Sequence, residues 1–256
     1  MSLSFCTLAS GSKGNCIYVA AGEQAVLIDC GLSARETIRR IEARGLSPHA
    51  VKAILITHEH TDHTRGVRVL AKRLRIPALA TEATWAAAKD TDAVRYQPMC
   101  AGRGLEMAGI QVHPFSVPHD AADPVGLVLT AGGVSLGVAT DLGAPTGLVR
   151  RRLAGCAGLV LEHNHDARLL AEGSYPPWLK QRVRSAQGHL SNDQGAELLA
   201  ELIHPGLKQV VLAHLSEQNN RPELARRAAQ DCLDGRGSRA GLWVAAQERY
   251  SEVFEV

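Results

Sequence analysis

Thr57-His58-Glu59-His60-Thr61-Asp62-His63 gathers four metal-competent side chains, His58, His60, Asp62 and His63, into one short segment. The apolar run Val51 to Ile56 precedes it and reads as a buried strand. Thr64 to Arg75 follows, with Val67, Leu70 and Leu74 at helical spacing. The cluster therefore stands where a strand ends and a helix begins, the edge at which α/β proteins build sites. Imidazoles and a carboxylate so close together are costly to hold without a cation.

The spacing separates the cluster into pairs. His58 and His60 are two apart, so in extended chain they point to the same side. Asp62 and His63 are adjacent, in the first turn of the helix, and cannot share that direction. Two ligand pairs from one loop suggest a binuclear centre, whose metals typically sit ~3.5–4 Å apart. A zinc-type site needs about four ligands per metal, so further ligands must come from elsewhere.

Three later segments offer them at the ends of strand-like runs. His119 follows Ile110 to Val117, Asp141 ends the run Gly137 to Thr140, and His214 ends Val210 to Ala213. Each alone reads as a turn or cap residue. Together with the opening cluster they are the expected layout of a site at a sheet edge.

The order Asp29, His58-x-His60-x-Asp62-His63, His119, Asp141, His214 resembles the five-motif signature of the metallo-β-lactamase superfamily. Several stretches look like a narrower branch, the bacterial YycJ/WalJ group, proposed to be DNA exonucleases. They are Ala9-Ser10-Gly11-Ser12-Lys13-Gly14-Asn15-Cys16, Pro118 to Pro124, Asn164-His165-Asp166, Gly188-His189-Leu190-Ser191-Asn192 and His214-Leu215-Ser216. The resemblance spans about Leu8 to Leu224. One departure is visible: His163 stands where a small or polar residue is expected.

The resemblance implies an α/β fold, an αββα sandwich forming one domain over residues 1–256. It implies two divalent ions, zinc first, with manganese or iron as alternatives. One would be held by His58, His60 and His119, the other by Asp62, His63 and His214, with Asp141 bridging them. A water between the ions would lose its proton and become the nucleophile, which gives Asp62 and the other ligands a catalytic part. Asp29 would hydrogen-bond a loop amide or a ligand imidazole, or serve only as a turn carboxylate. His189 stands before a helix that Ser191 or Asn192 can cap. There it could give a proton to a leaving alkoxide or bind phosphate.

Other residues are candidates for substrate contact. Ser10 to Asn15 is either a plain hairpin or a phosphate contact, with Lys13 adding charge. Asn164 and His165 could line the cleft or brace the metal loop. Lys180, Arg182 and Arg184 lie just before Gly188-His189 and could guide phosphates toward the site, as could Ser191. The reading that follows is a binuclear-metal-dependent phosphodiesterase, a DNA exonuclease first, with DNA as the expected partner. The alternative is hydrolysis of a small phosphodiester, thioester or lactone on the same ions. A binding module without turnover is disfavoured by the intact ligand set.

Composition agrees. Apolar residues make up 45% of the 256, enough for a substantial core, and no Ser/Gly- or Pro-rich linker interrupts them. The net charge is only +2, so no global field draws nucleic acid. No run approaches the ~20 apolar residues of a membrane span, and none resembles a signal peptide. The six cysteines form no Cys-x-x-Cys pair and read as buried reduced thiols, which points to the cytoplasm. Strands are expected near 3–8, 16–20, 25–29, 51–57, 77–80, 110–117, 125–130, 134–140, 157–161, 209–214 and 242–246. Helices are expected near 33–44, 63–75, 82–89, 145–153, 177–184, 191–203 and 221–234.

Overall fold

The computed structural model describes residues 2–256. Its first half runs β1 (Leu3–Ala9), β2 (Cys16–Ala21), β3 (Gln24–Ile28), α1 (Ala34–Ala43), β4 (Val51–Leu55), α2 (Thr61–Thr64), α3 (Val67–Leu74), β5 (Ala78–Ala80), α4 (Glu82–Ala87) and β6 (Tyr96–Pro98). The second half runs β7 (Leu105–Met107), β8 (Ile110–Ser116), β9 (Val125–Ala131), β10 (Val134–Ala139), α5 (Gly147–Leu153), β11 (Gly158–Glu162), α6 (Ala167–Glu172), α7 (Pro177–Arg184), α8 (Asn192–Leu202), β12 (Gln209–Ala213), α9 (Pro222–Gly235), β13 (Gly241–Val244) and β14 (Phe254–Glu255).

These strands form two sheets of seven, ordered β14-β1-β2-β3-β4-β5-β6 and β13-β12-β11-β10-β9-β8-β7. Each sheet is antiparallel at one end and parallel at the other. In the first, the change comes at β3, which pairs antiparallel with β2 and parallel with β4. In the second it comes at β10, between antiparallel β9 and parallel β11. The two halves thus share a topology that no sequence repeat announces.

Period-two alternation sorts the strand residues into layers. Leu3 and Phe5 of β1, Val26 and Ile28 of β3, Leu136 and Val138 of β10, and Val211 of β12 meet in the core between the sheets. Their neighbours Cys6, Leu8, Ala25 and Leu27 face outward onto α1 and α3, where Ile38, Ile41, Val67 and Leu70 cover them. Val210 and Leu212 face α8 and α9 on the other side, with Leu198, Leu199, Ala225 and Ala229. The result is the expected αββα sandwich. Fully burying one such aliphatic side chain contributes about 1.5–3 kcal/mol.

The departures from the sequence expectation are local. The single helix expected over 63–75 is two, α2 and α3, separated at Arg65-Gly66. Gly66 donates its N–H to the Cys30 carbonyl at 2.7 Å. A Cβ at Gly66 would lie 2.1 Å from the Leu32 carbonyl oxygen, so the chain presses against the 30–32 loop and only glycine fits. Strands β6, β7 and β14 and helix α6 were not expected. All six cysteines are free, but Cys100 is exposed and Cys232 half-buried, so the buried reading fails for these two. Burial pushes the Cys6, Cys30 and Cys156 thiols up to about 12, which makes them inert at neutral pH. Among the described residues, no helix is long and apolar enough to cross a membrane.

Candidate metal centre

Strands β3, β4, β8, β10, β11 and β12 deliver their carboxyl ends to one edge of the sandwich. Asp29, His58, His119, Asp141, Glu162 and His214 stand there. Three of these residues turn out of their strands through the left-handed region, with φ of 59° at Asp29, 55° at Asp141 and 58° at His214. Non-glycine residues adopt that conformation at a cost, and such strain collects where function demands a particular side-chain direction. Close backbone contacts fix the opening loop beside them. Asn15 N–H donates to the Asp62 carbonyl at 2.8 Å, and Cys30 N–H to the His63 carbonyl at 2.8 Å. Gly31 permits this, since a Cβ there would lie 1.6 Å from the Asp62 oxygen.

Ligand-type atoms of His58, His60 and His119 lie within 4.8 Å of one another, as do those of Asp62, His63 and His214. Asp141 stands between the groups, its Oδ2 3.3 Å from His63 Nε2 and its Oδ1 3.4 Å from His214 Nε2 and 3.8 Å from His119 Nε2. All seven residues proposed as ligands from sequence therefore converge.

The outer nitrogens of four imidazoles are already engaged. His63 Nδ1 lies 2.7 Å from Asp29 Oδ2, His214 Nδ1 3.1 Å from Glu162 Oε1, and His119 Nδ1 3.2 Å from the Gly188 carbonyl. His58 Nδ1 lies 3.0 Å from Thr57 Oγ1, whose hydroxyl is spent on Asp29 Oδ2 at 2.9 Å. Each Nδ1 faces an oxygen that can accept its proton, which leaves each Nε2 turned inward as a candidate ligand atom, the arrangement typical of metal-bound histidine. His119 Nε2, His214 Nε2 and Asp141 Oδ2 are buried with no hydrogen-bond partner. Orphaned buried polar atoms are costly, and a cation among them removes the cost. The donor set fits divalent metal.

Electrostatics say the same. Burial opposes charge on Asp141, but the His214 and His63 imidazoles outweigh it and hold the carboxyl well below its usual range. Burial likewise opposes charge on His63, yet Asp141 and Asp29 push it well above the ordinary imidazole value. His58 goes the other way, driven well down by burial and by His63. The carboxylates thus demand positive charge at the centre of the cluster. Metal binding must displace protons there, so cation affinity falls as pH is lowered.

Glu162 was missed. It is fully buried at the end of β11. Its carboxylate accepts from the N–H groups of Asp141, Leu142 and Leu190 at 3.1, 2.9 and 3.0 Å. It also lies 2.9 Å from His189 Nδ1. One carboxylate therefore orients His189, His214 and the Asp141 turn together. The signal was present: Gly158-Leu-Val-Leu-Glu162 is an apolar run ending in an acid, as are the runs ending at Asp29 and Asp141.

His163, the departure in sequence, lies outside the cluster. It is fully buried, and neither ring nitrogen has a hydrogen-bond partner. A Cβ at Gly195 of α8 would lie 2.7 Å from its ring, so it packs as an apolar filler against that helix. Burial brings its pKa down from 6.5 to about 4. Below the unfolded value, the unfolded chain binds a proton that the folded chain refuses until about pH 4. Stability is therefore expected to drop as pH falls through that window. Denaturant midpoints should show a smaller drop for His163→Leu than for the native protein, and an equal drop would contradict the assignment.

The expected substrate contacts divide. A cavity of about 240 Å³ opens over the cluster, walled by Ser12, Leu179, Arg182, Val183 and Gln187, with His189 at its side. Arg182 reaches it, paired at 2.9 Å with Asp120. Lys180 and Arg184 do not: two residues round the helix from Arg182, they turn to α6 and donate to the carbonyls of Ala171 and Ala167. Lys13 is exposed and paired with Glu217 at 2.9 Å, while its neighbour Ser12 lines the cavity. Asn164, His165 and Ser191 are buried. Asn164 Nδ2 donates to the His214 carbonyl at 2.8 Å, and Ser191 caps α8 through the Gln194 N–H, so these residues brace the site rather than line it. Asn15 donates to Asp62 Oδ2 at 3.2 Å, which places the Ser10–Asn15 loop against a candidate ligand.

Comparison with known proteins agrees with the fold. A β-lactamase superfamily domain matches residues 24–215. The chain is 36% identical over 247 residues to the exodeoxyribonuclease YycJ of Bacillus anthracis, covering 94% of this chain and 93% of that protein. It is 37% identical over 228 residues to the exodeoxyribonuclease WalJ of Streptococcus pneumoniae, covering 85% of this chain and 83% of that one. Among solved structures, the metallo-β-lactamase fold protein YhfI of Bacillus subtilis superposes with a TM-score of 0.76 at 14% identity, over the whole of both chains. That last likeness is one of fold.

Proposed function

The chain belongs to the β-lactamase superfamily, in its YycJ/WalJ branch, and from that premise we propose that it is a two-metal phosphodiesterase removing nucleotides from DNA. The observation that carries the reading is the Nε2 atoms of His58, His63, His119 and His214, whose Nδ1 atoms each face an oxygen, around a carboxylate that lies near both histidine groups. His58, His60 and His119 would hold one cation, and Asp62, His63 and His214 the other, with Asp141 placed to serve both. Zinc suits this His-rich set, with manganese and iron as close competitors. When bound, such a pair acidifies water into a nucleophile and neutralises charge on the phosphate.

The protein's own groups do the rest. Asp29 and Glu162 hold the His63 and His214 rings in the ligating tautomer. Glu162 also holds His189 Nδ1, so that the other ring nitrogen is free to protonate the oxygen leaving phosphorus. Arg182 meets the phosphate backbone by exchanging Asp120 for it. That ion pair is half exposed and therefore weak.

Salt tests the substrate class. Affinity for an oligonucleotide is expected to fall steeply as salt rises, because phosphate contacts release counterions. Arg182→Ala should reduce the slope of log affinity against log salt by about one, whereas Lys180→Ala should leave it nearly unchanged. A salt-insensitive affinity would sink the nucleic-acid reading.

A further inference from the structure

The cavity over the candidate metal centre, about 240 Å³, has room for a phosphodiester and little of the nucleoside on either side. The bases of any polynucleotide therefore rest on the rim. One wall of that rim is α7, which carries no buried residue although Leu179, Arg182 and Val183 line the cavity. Its carboxyl end is tied to the site, where His189 N–H donates to the Val183 carbonyl at 2.9 Å. Its amino end projects, started by Pro176-Pro177.

Trp178 stands on this projecting end and is 65% exposed. Among the described residues, Val69 and Leu224 are the other exposed large hydrophobic side chains, and neither stands on a helix that walls this cavity, whereas Trp178 directly precedes the lining residue Leu179. Trp178 is four residues before Arg182, so the two share a helix face one turn apart. Lys180 and Arg184 occupy the opposite face and bind α6. An unburied indole thus flanks the single guanidinium that reaches the cavity from this helix. Aromatic faces beside cationic groups are how proteins grip single strands: bases stack on the ring while the charge meets the backbone.

We propose that Trp178 is a stacking platform for the nucleobase beside the scissile phosphate, so that α7 admits the end of a DNA strand in unpaired form, with Arg182 on its phosphate. The inference rests on the nuclease reading above and adds to it the form in which the strand is received. A duplex end meets the same platform by splaying its terminal nucleotide.

The test uses the metal-loaded full chain, single-stranded oligonucleotides, and the same oligonucleotides carrying abasic terminal residues. Trp178→Ala should lower kcat/KM on the normal strand by about tenfold, within the range a stacked base gives, and Trp178→Phe should recover most of it. The abasic strand should be a poorer substrate for the native protein by a similar factor and equally good for native and Trp178→Ala. Metal content and melting temperature should not move, because the side chain is exposed. Equal rates of native protein and Trp178→Ala on normal DNA would overturn the platform while leaving the nuclease reading intact. A native protein that cleaves small phosphodiesters but no DNA would overturn the nuclease reading, and the platform with it.

Discussion

Alanine in place of Asp141 is expected to reduce hydrolysis to below roughly a thousandth of the native rate, because the cations it would hold supply several kcal/mol of transition-state stabilisation when bound. Its two oxygens face His63 on one side and His214 and His119 on the other, at 3.3 to 3.8 Å. Oδ1 thus lies beside one histidine of each set, so both cations should loosen together. Elemental analysis of protein prepared without chelators checks this directly: about two metals per native chain, and far less in the variant. The metal-free variant should also be less stable than the metal-free native protein, since His63 and His214 lose the carboxylate that draws a proton onto them. A variant that keeps both metals and full rate contradicts the bridging role.

The second large effect belongs to His189. It is not needed to complete either histidine group, and its Nδ1 is held by Glu162. His189→Ala should keep both metals and lose turnover by roughly 10²–10⁴-fold, the range of a general acid. The loss should shrink for a p-nitrophenolate leaving group, which departs without a proton. Glu162→Gln should reproduce that dependence in milder form, and should also weaken metal binding through His214. A uniform loss across leaving groups would assign His189 to phosphate binding instead. Loss of metal would place it among the ligands, next to Asp141 and His214.

The candidate ligand residues were legible because the chain compresses them. His58, His60, Asp62 and His63 sit in one loop, and His119, Asp141 and His214 each end an apolar run. A site made at strand ends writes itself into sequence as polar punctuation after hydrophobic stretches. Glu162 follows the same rule as the last residue of its run, but it sits next to His163, a second polar group that the cluster does not use. What could not be read was direction. Lys180, Arg182 and Arg184 form one charge run in sequence, yet helical geometry sends Arg182 to the cavity and the other two to α6. Asn164 and His165 are equally polar, but a bridge between His165 and Ser191 seals them beneath the surface. The strands β6, β7 and β14 are two or three residues long, too short to show a period. β14 exists only because it meets β1 from the far end of the chain.

The central claim, a metal-dependent nuclease acting on DNA ends, is met most directly by one assay. The metal-reconstituted protein is offered labelled single-stranded DNA, double-stranded DNA, RNA and bis(p-nitrophenyl) phosphate side by side, with chelated protein as the control. The expected result is release of mononucleotides from DNA ends, abolished by chelation and exceeding any activity on the small diester. Hydrolysis confined to the small diester, or DNA cleavage that survives chelation, would contradict the account.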